Sequence, residues 1–196
     1  MSRVVLASHN RHKAVEFARL LPGFEVEPYA GDLPEETGAT FAANALLKAR
    51  HVHAAVGGGS WVLADDSGIE VSALGGRPGV RSARYAGEGA SDRDNLELLL
   101  DELGATTDRA ARYVAELVAI GPGGAVVGSR GELRGTLADA ARGSGGFGYD
   151  PIFVPDGESR TVAEMTAAEK DAISHRARAA AGLLGRLREA AGRPVG

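Results

Sequence analysis

Apolar and polar positions along the chain alternate between two periods. Arg3 to Ala7 is a short run rich in β-branched residues and predicts a strand. The polar turn Ser8-His9-Asn10 follows, then a helical pattern from Arg11 to Leu21 in which Val15, Ala18 and Leu21 share a face. Phe24 to Tyr29 reads as a second strand, and an acidic loop, Asp32-Leu33-Pro34-Glu35-Glu36-Thr37-Gly38, leads to Thr40, a suitable helix cap. Phe41, Ala45, Leu46, Ala49 and Val52 then keep helical spacing up to Gly57-Gly58-Gly59. Trp61 to Ala64 is a short apolar run entering Asp65-Asp66-Ser67-Gly68, which reads as a turn at a strand end, and Ile69 and Val71 resume a strand-like pattern.

The stretch from Gly75 to Gly89 is rich in glycine and arginine and reads as irregular. Ser91 with Asp94 opens another helix, striped by Leu96, Leu99, Leu100 and Leu103. Two antiparallel strands are expected from Ala111 to Ile120 and from Ala125 to Leu133, joined by Gly121-Pro122-Gly123-Gly124. A glycine-rich run from Gly143 to Pro151 precedes the short strand Ile152 to Val154. Two cap signals, Thr161 to Glu164 and Thr166 to Glu169, open one amphipathic tail helix through Ile173, Ala177, Leu183, Leu184 and Leu187. Fraying is expected at about 192–196. With no internal repeat and no linker-like segment, a single α/β domain over residues 1–196 is the economical reading.

Composition narrows the classes. The 196 residues are 44% hydrophobic and 24% charged, which suits a globular domain rather than a disordered or membrane chain. A formal charge of -4 argues against bulk attraction to nucleic acid, and no apolar stretch approaches the roughly 20 residues needed to span a bilayer, so neither nucleic acid nor membrane is an expected partner. The absence of cysteine excludes a disulfide framework, a cysteine zinc cluster and a thiolate nucleophile, and it allows a cytoplasmic location. The apolar run at Met1 to Ala7 is too short for a signal peptide. Glycine, at 28 residues, is about twice its usual share and points to tight turns.

Ser8, Asn10 and Lys13 sit where a strand passes into a helix, and free amides there with a hydroxyl, an amide and an ammonium suit a phosphate; an exposed capped helix start is the plainer reading. Glu35, Glu36, Asp65 and Asp66 are the candidate carboxylates. Neighbours on an extended segment point to opposite faces, so at most one of Asp65 and Asp66 enters a given cleft. Two such groups suit a hard cation such as Mg²⁺, and solvated acidic loops are the alternative. His51 and His53 lie two apart on a helix and do not share a face, which argues against a metal pair. Lys170 with Ser174-His175-Arg176 groups hydrogen-bonding residues within about two helical turns. Phe147, Tyr149 and Asp150 offer an aromatic plate and an acceptor, or core packing.

In order, Ser8-His9-Asn10-Arg11-His12-Lys13, Glu35-Glu36-Thr37-Gly38 with Phe41, Asn44 and Lys48, and Ala64-Asp65-Asp66-Ser67-Gly68 form the first blocks of a pattern. Pro78-Gly79, Ser82-Ala83-Arg84-Tyr85, Gly145 to Phe153 and Glu169-Lys170 with Ser174-His175-Arg176 complete it. Together they resemble the inosine triphosphate pyrophosphatase family, the Ham1-like nucleotidases, over nearly the whole chain. The resemblance implies a long mixed central sheet flanked by helices, in two lobes with the nucleotide in the cleft between them, and a homodimer. It also implies Mg²⁺-dependent hydrolysis of ITP, dITP and XTP to monophosphate and pyrophosphate, keeping deaminated purines out of nucleic acid.

By the same resemblance Asp66 is the catalytic aspartate and a metal ligand, with Glu35 as a second ligand and Glu36 and Asp65 as neighbours. Ser8, His9, Asn10, Arg11, His12, Lys13 and Lys48 are expected on the phosphates and Ser67 beside them. Phe147 is expected to stack on the base, Gly148, Tyr149 and Asp150 to line its pocket, and Lys170, His175 and Arg176 to complete its recognition. His9 stands where the family generally has glycine, and Ala43 replaces a common acidic residue. The rival readings are a Maf-like nucleotide pyrophosphatase with another base preference and a non-catalytic nucleotide sensor.

Overall fold

The computed structural model describes residues 2–190, and side chains over 3–187; the expected frayed tail lies outside the described residues. Six strands, β1 (Ser2–Leu6), β2 (Phe24–Pro28), β3 (Trp61–Val71), β4 (Ala110–Ile120), β5 (Val126–Leu137) and β6 (Phe153–Pro155), bond in the order β2-β1-β3-β4-β5-β6. β1 is parallel to β2 and β3, with Val4 opposite Val26 and Trp61, whereas β5 and β6 are antiparallel, so the sheet is mixed. β4 and β5 are neighbours joined by the short turn in which Gly121 N donates to Ala125 O, which only antiparallel strands allow. The helices are α1 (Arg11–Leu20), α2 (Phe41–Ala55), α3 (Asp92–Leu103), α4 (Ala167–Ile173) and α5 (His175–Ala190). Among the described residues no helix is long and apolar enough to cross a membrane.

The described residues divide into two compact units, residues 2–66, 115–131 and 176–190, and residues 67–114 and 132–175. In the first, strand alternation splits the core: Val4, Leu6, Leu63 and Leu117 pack with Phe17, Leu21 and Leu183, while Val5, Ala7, Val62 and Ala64 pack with Ala45, Ala49 and Val52. One side of these strands is therefore covered by α1 and α5, the other by α2. The second unit has one core, of Ile69, Val71, the α3 leucines, Tyr113, Leu133, Tyr149, Ile152 and Phe153.

Capping chemistry holds as the sequence suggests. Thr40 Oγ1 accepts from Ala43 N, and Ser91 and Asp94 form a reciprocal capping box on α3. Three expectations are corrected. Val15 is 60% exposed, because the buried line of α1 runs through Ala14, Phe17 and Leu21 instead. The single tail helix is broken: Thr161 opens only a 3₁₀ turn (Val162–Glu164), Thr166 caps α4, and Ser174 adopts an extended conformation before α5. Asp65-Asp66-Ser67-Gly68 is not a turn, since β3 runs through it unbroken.

Gly68 serves a close approach, not a bend. A Cβ there would run into Ser82 Oγ and lie 2.7 Å from Gly79 O, and Ser82 Oγ itself accepts from Ile69 N (2.9 Å) while donating to Gly79 O (2.6 Å). Gly68→Ala should therefore lower stability by about 1–3 kcal/mol, the usual cost of overpacking. Urea denaturation checks this, and an unchanged midpoint would show that the 79–82 segment yields freely.

Candidate active site

β3 decides which way each acidic side chain goes. Asp65 follows Leu63 to the α1 and α5 side, and Asp66 follows Ala64 to the α2 side. Asp65 is fully buried and meets Lys13 Nζ at 2.8 Å and Arg176 Nε at 3.2 Å; Arg176 Nη1 donates to Glu16, itself buried, at 3.2 Å. Burial alone would push the Asp65 carboxyl up, but Lys13 and Arg176 outweigh it and hold it well below the usual carboxylate range. Burial pulls the Lys13 ammonium below its ordinary value, with Arg176 and Lys48 adding to this against Asp65.

On the other side, Asn44 and Lys48 are four apart on α2 and so share a face. Asn44 Nδ2 donates to Asp66 Oδ2 (3.1 Å) and Lys48 Nζ to Asp66 Oδ1 (3.3 Å), so the pair holds both carboxylate oxygens. Lys48 Nζ also donates to Glu36 Oε1 (2.5 Å) and Asp65 O (2.9 Å), which uses all three of its protons. Burial raises the Asp66 carboxyl, and the Glu36 charge raises it further against the pull of Lys48 and Lys13. The Lys48 ammonium is raised: Asp66 and Glu36 overcome the opposing effect of burial.

This donor set fits a hard divalent cation. Asp66 and Glu36 are oxygen donors sharing one ammonium, and each Asp66 oxygen accepts one of these bonds and keeps a second lone pair. Among the described residues no group of three or more His, Cys, Asp or Glu forms a ready metal cage. Mg²⁺ usually takes only one or two protein carboxylates and fills its shell with water and phosphate oxygens. Glu35, expected as a ligand, has an exposed side chain, and its neighbour Glu36 is the one drawn onto Lys48.

The first loop is capped from within. Asn10 Oδ1 accepts from His12 N and Lys13 N, and Ser8 Oγ accepts from Asn10 N, leaving fewer free amides for an anion than the pattern suggested. His9, Arg11 and His12 are exposed, and His9 Nε2 donates to Gly31 O. Ser67, half-buried, follows Asp66 on β3.

In the second unit Asp150 is the hub. Its Oδ1 accepts from Tyr113 Oη (3.1 Å), and its Oδ2 from Lys170 Nζ (2.7 Å) and Phe147 N (2.9 Å). Lys170 Nζ lies 4.7 Å from the centre of the half-buried Phe147 ring, a cation–π contact. Tyr149 turns inward, its hydroxyl donating to Ser82 O, and burial pushes its phenol up. Gly148, at φ 62, donates its amide to Asp92. The His175 ring is buried and stacks on Tyr113 at 4.7 Å and 11°.

Glu16 and Tyr113 were not singled out from the sequence. Glu16 lies three positions after Lys13 on α1, a spacing that puts both on one side, but a lone glutamate beside Phe17 reads as surface. Tyr113 reads as ordinary core in the alternation of β4.

Acidic and cationic side chains buried together around Asp65 and Asp66 mark this part of the α/β fold as a candidate active site. Residues 4–186 match the model of the Ham1 family. The chain is 49% identical to a dITP/XTP pyrophosphatase of Leifsonia xyli, over 96% of each chain, and 48% identical to one of Mycobacterium tuberculosis, over 97% of this chain and 98% of that one. A solved Staphylococcus aureus Ham1 protein superposes with a TM-score of 0.85 at 41% identity, covering 96% of this chain and 100% of that one. A Coxiella burnetii HAM1 protein does so with the same score at 39% identity, again over 96% and 100%. The chain belongs to the Ham1 family.

Asp65→Asn should leave Lys13 and Arg176 without their shared anion and cost about 3–5 kcal/mol. The sign with pH is fixed by a folded carboxyl below its unfolded value near 3.9: the stabilisation is complete above about pH 4 and is lost as pH falls through the folded value. Denaturant midpoints at pH 7, 4 and 2.5 check both points, and equal acid limbs in the two proteins would contradict the pairing.

Proposed function

We propose that this protein hydrolyses non-standard purine nucleoside triphosphates, dITP, XTP and ITP, to the monophosphate and pyrophosphate, and so cleans the nucleotide pool. The observation that carries this is full-length similarity to proteins named dITP/XTP pyrophosphatase, on a chain whose buried Asp66 is held by Asn44 and Lys48.

A triphosphate brings close to four negative charges, and Lys13 with the polar side chains of the first loop answers part of them. Asp66 of β3, with Glu36 and its neighbour Glu35 from the acidic loop, would hold Mg²⁺, which when bound would supply charge neutralisation to the polyphosphate oxygens. Asp66 takes a proton from the attacking water as the water oxygen bonds to the α-phosphorus; the bond from that phosphorus to the bridging oxygen breaks, and pyrophosphate leaves with that oxygen. Lys48 and Asn44 keep the Asp66 carboxylate in one orientation for that transfer. Ser67 contacts the substrate next to Asp66.

Base choice follows from hydrogen-bond polarity. Hypoxanthine and xanthine present a 6-oxo acceptor and a protonated N1, and adenine reverses both, so donors set for O6 leave adenine with unmatched groups. Each unmatched buried group costs about 1–3 kcal/mol. Phe147 stacks on the base, Tyr149 and Asp150 shape the loop that carries it, and Lys170, His175 and Arg176 complete recognition. Lys170 is steadied by Asp150 for this purpose. A homodimer in the cytoplasm completes the reading, on the strength of the family resemblance.

A panel of nucleoside triphosphates with Mg²⁺ should yield pyrophosphate from dITP, XTP and ITP, and from ATP at least about tenfold more slowly; orthophosphate as first product would refute the scheme. Asp66→Asn should keep nucleotide binding and lose about a hundredfold or more in turnover. A rate near that of the unaltered protein would remove Asp66 from the mechanism.

A further inference from the structure

Residues 29–40, which carry Glu35 and Glu36, form neither helix nor strand, and so long a structureless connection needs pins if its side chains are to act in one place. Its ends are tied: Tyr29 N donates to Leu6 O (2.8 Å) and Gly38 N to Asn44 Oδ1 (2.7 Å). Its middle is held by two histidines from different elements. His9 Nε2, from the loop before α1, lies 2.8 Å from Gly31 O, and His51 Nε2, from α2, lies 2.9 Å from Asp32 O.

A carbonyl oxygen only accepts, so both Nε2 atoms carry hydrogen. Asn44, Lys48 and His51 follow one another at spacings of four and three on α2, and the same face that grips Asp66 also grips Gly38, Glu36 and Asp32.

We propose that His9 and His51 are positioning residues: a two-point clasp on successive carbonyls that holds the acidic loop so that its carboxylates stay beside Asp66 and can share a divalent cation with it. The proposal rests on the reading above that these carboxylates serve Mg²⁺. It assigns His9 to the loop rather than to phosphate, and it gives His51, which the substrate does not need, a share in metal affinity. Each clasp bond is partly solvated, so its loss is felt as local loosening rather than unfolding.

The test is amide hydrogen exchange on the full chain without nucleotide, paired with the Mg²⁺ dependence of pyrophosphate release. His9→Ala and His51→Ala should each speed exchange across residues 30–37 by roughly two- to tenfold, and the double variant by more, with β4 unchanged. The Mg²⁺ concentration for half-maximal rate should rise several-fold in the double variant, and His51→Gln, whose amide can present a donor near the Nε2 position, should restore loop protection and Mg²⁺ dependence. Unchanged loop exchange in the double variant, a rise spread over the whole protein, or looser exchange with the same Mg²⁺ dependence would each overturn the clasp. Because exchange is read without nucleotide, a chain inactive on dITP and XTP would defeat the proposed function and leave the clasp to be judged on the loop.

Discussion

Two adjacent carboxylates on an extended strand cannot face the same way, and the first unit is organised around this. Asp65 and Asp66 leave β3 on opposite sides, each into a layer already packed by helices, and a buried carboxylate costs several kcal/mol unless compensated there. Compensation comes from each side's own helices: Lys13 and Glu16 of α1 with Arg176 of α5 around Asp65, and Asn44 and Lys48 of α2 around Asp66. A slip of one residue in β3 would exchange the two aspartates and turn every apolar neighbour to the wrong layer. The apolar pattern of Val62, Leu63 and Ala64 therefore holds the acidic pair in register.

The two sides do different work. Around Asp65 the carboxylate is fixed in its ionised form and serves to hold cations in place. Around Asp66 the carboxyl is raised by burial and by the Glu36 charge. Asp66 and Glu36 share the Lys48 ammonium, whereas Asp65 is met by both Lys13 and Arg176. The divalent cation proposed above would sit beside the Asp66 and Glu36 carboxylates.

In the second unit, Asp150 does for an aromatic loop what Asn44 and Lys48 do for Asp66. It collects a hydroxyl, an ammonium and a backbone amide, so Phe147 and Lys170 are set by one carboxylate. Tyr113 supports that carboxylate and the His175 ring together. With both oxygens of a buried carboxylate hydrogen-bonded, the loop and Lys170 are tied to one point, as the proposed base recognition would need.

Local physics in the sequence already determined the strands of β-branched and apolar residues, the caps at Thr40, Ser91 and Thr166, the alternation that separates Asp65 from Asp66, and the residues that mark the family. These depend on a few neighbours and on side-chain period. Only the tertiary structure decided what Gly68 is for, because a glycine needed for close approach to Ser82 and Gly79 is written the same way as one needed for a bend. It likewise decided that Ser174 breaks the tail helix, that Val15 faces solvent, and that Glu16 and Tyr113 serve buried charges and rings. Those outcomes turn on partners far along the chain, and no local pattern records which of them will arrive.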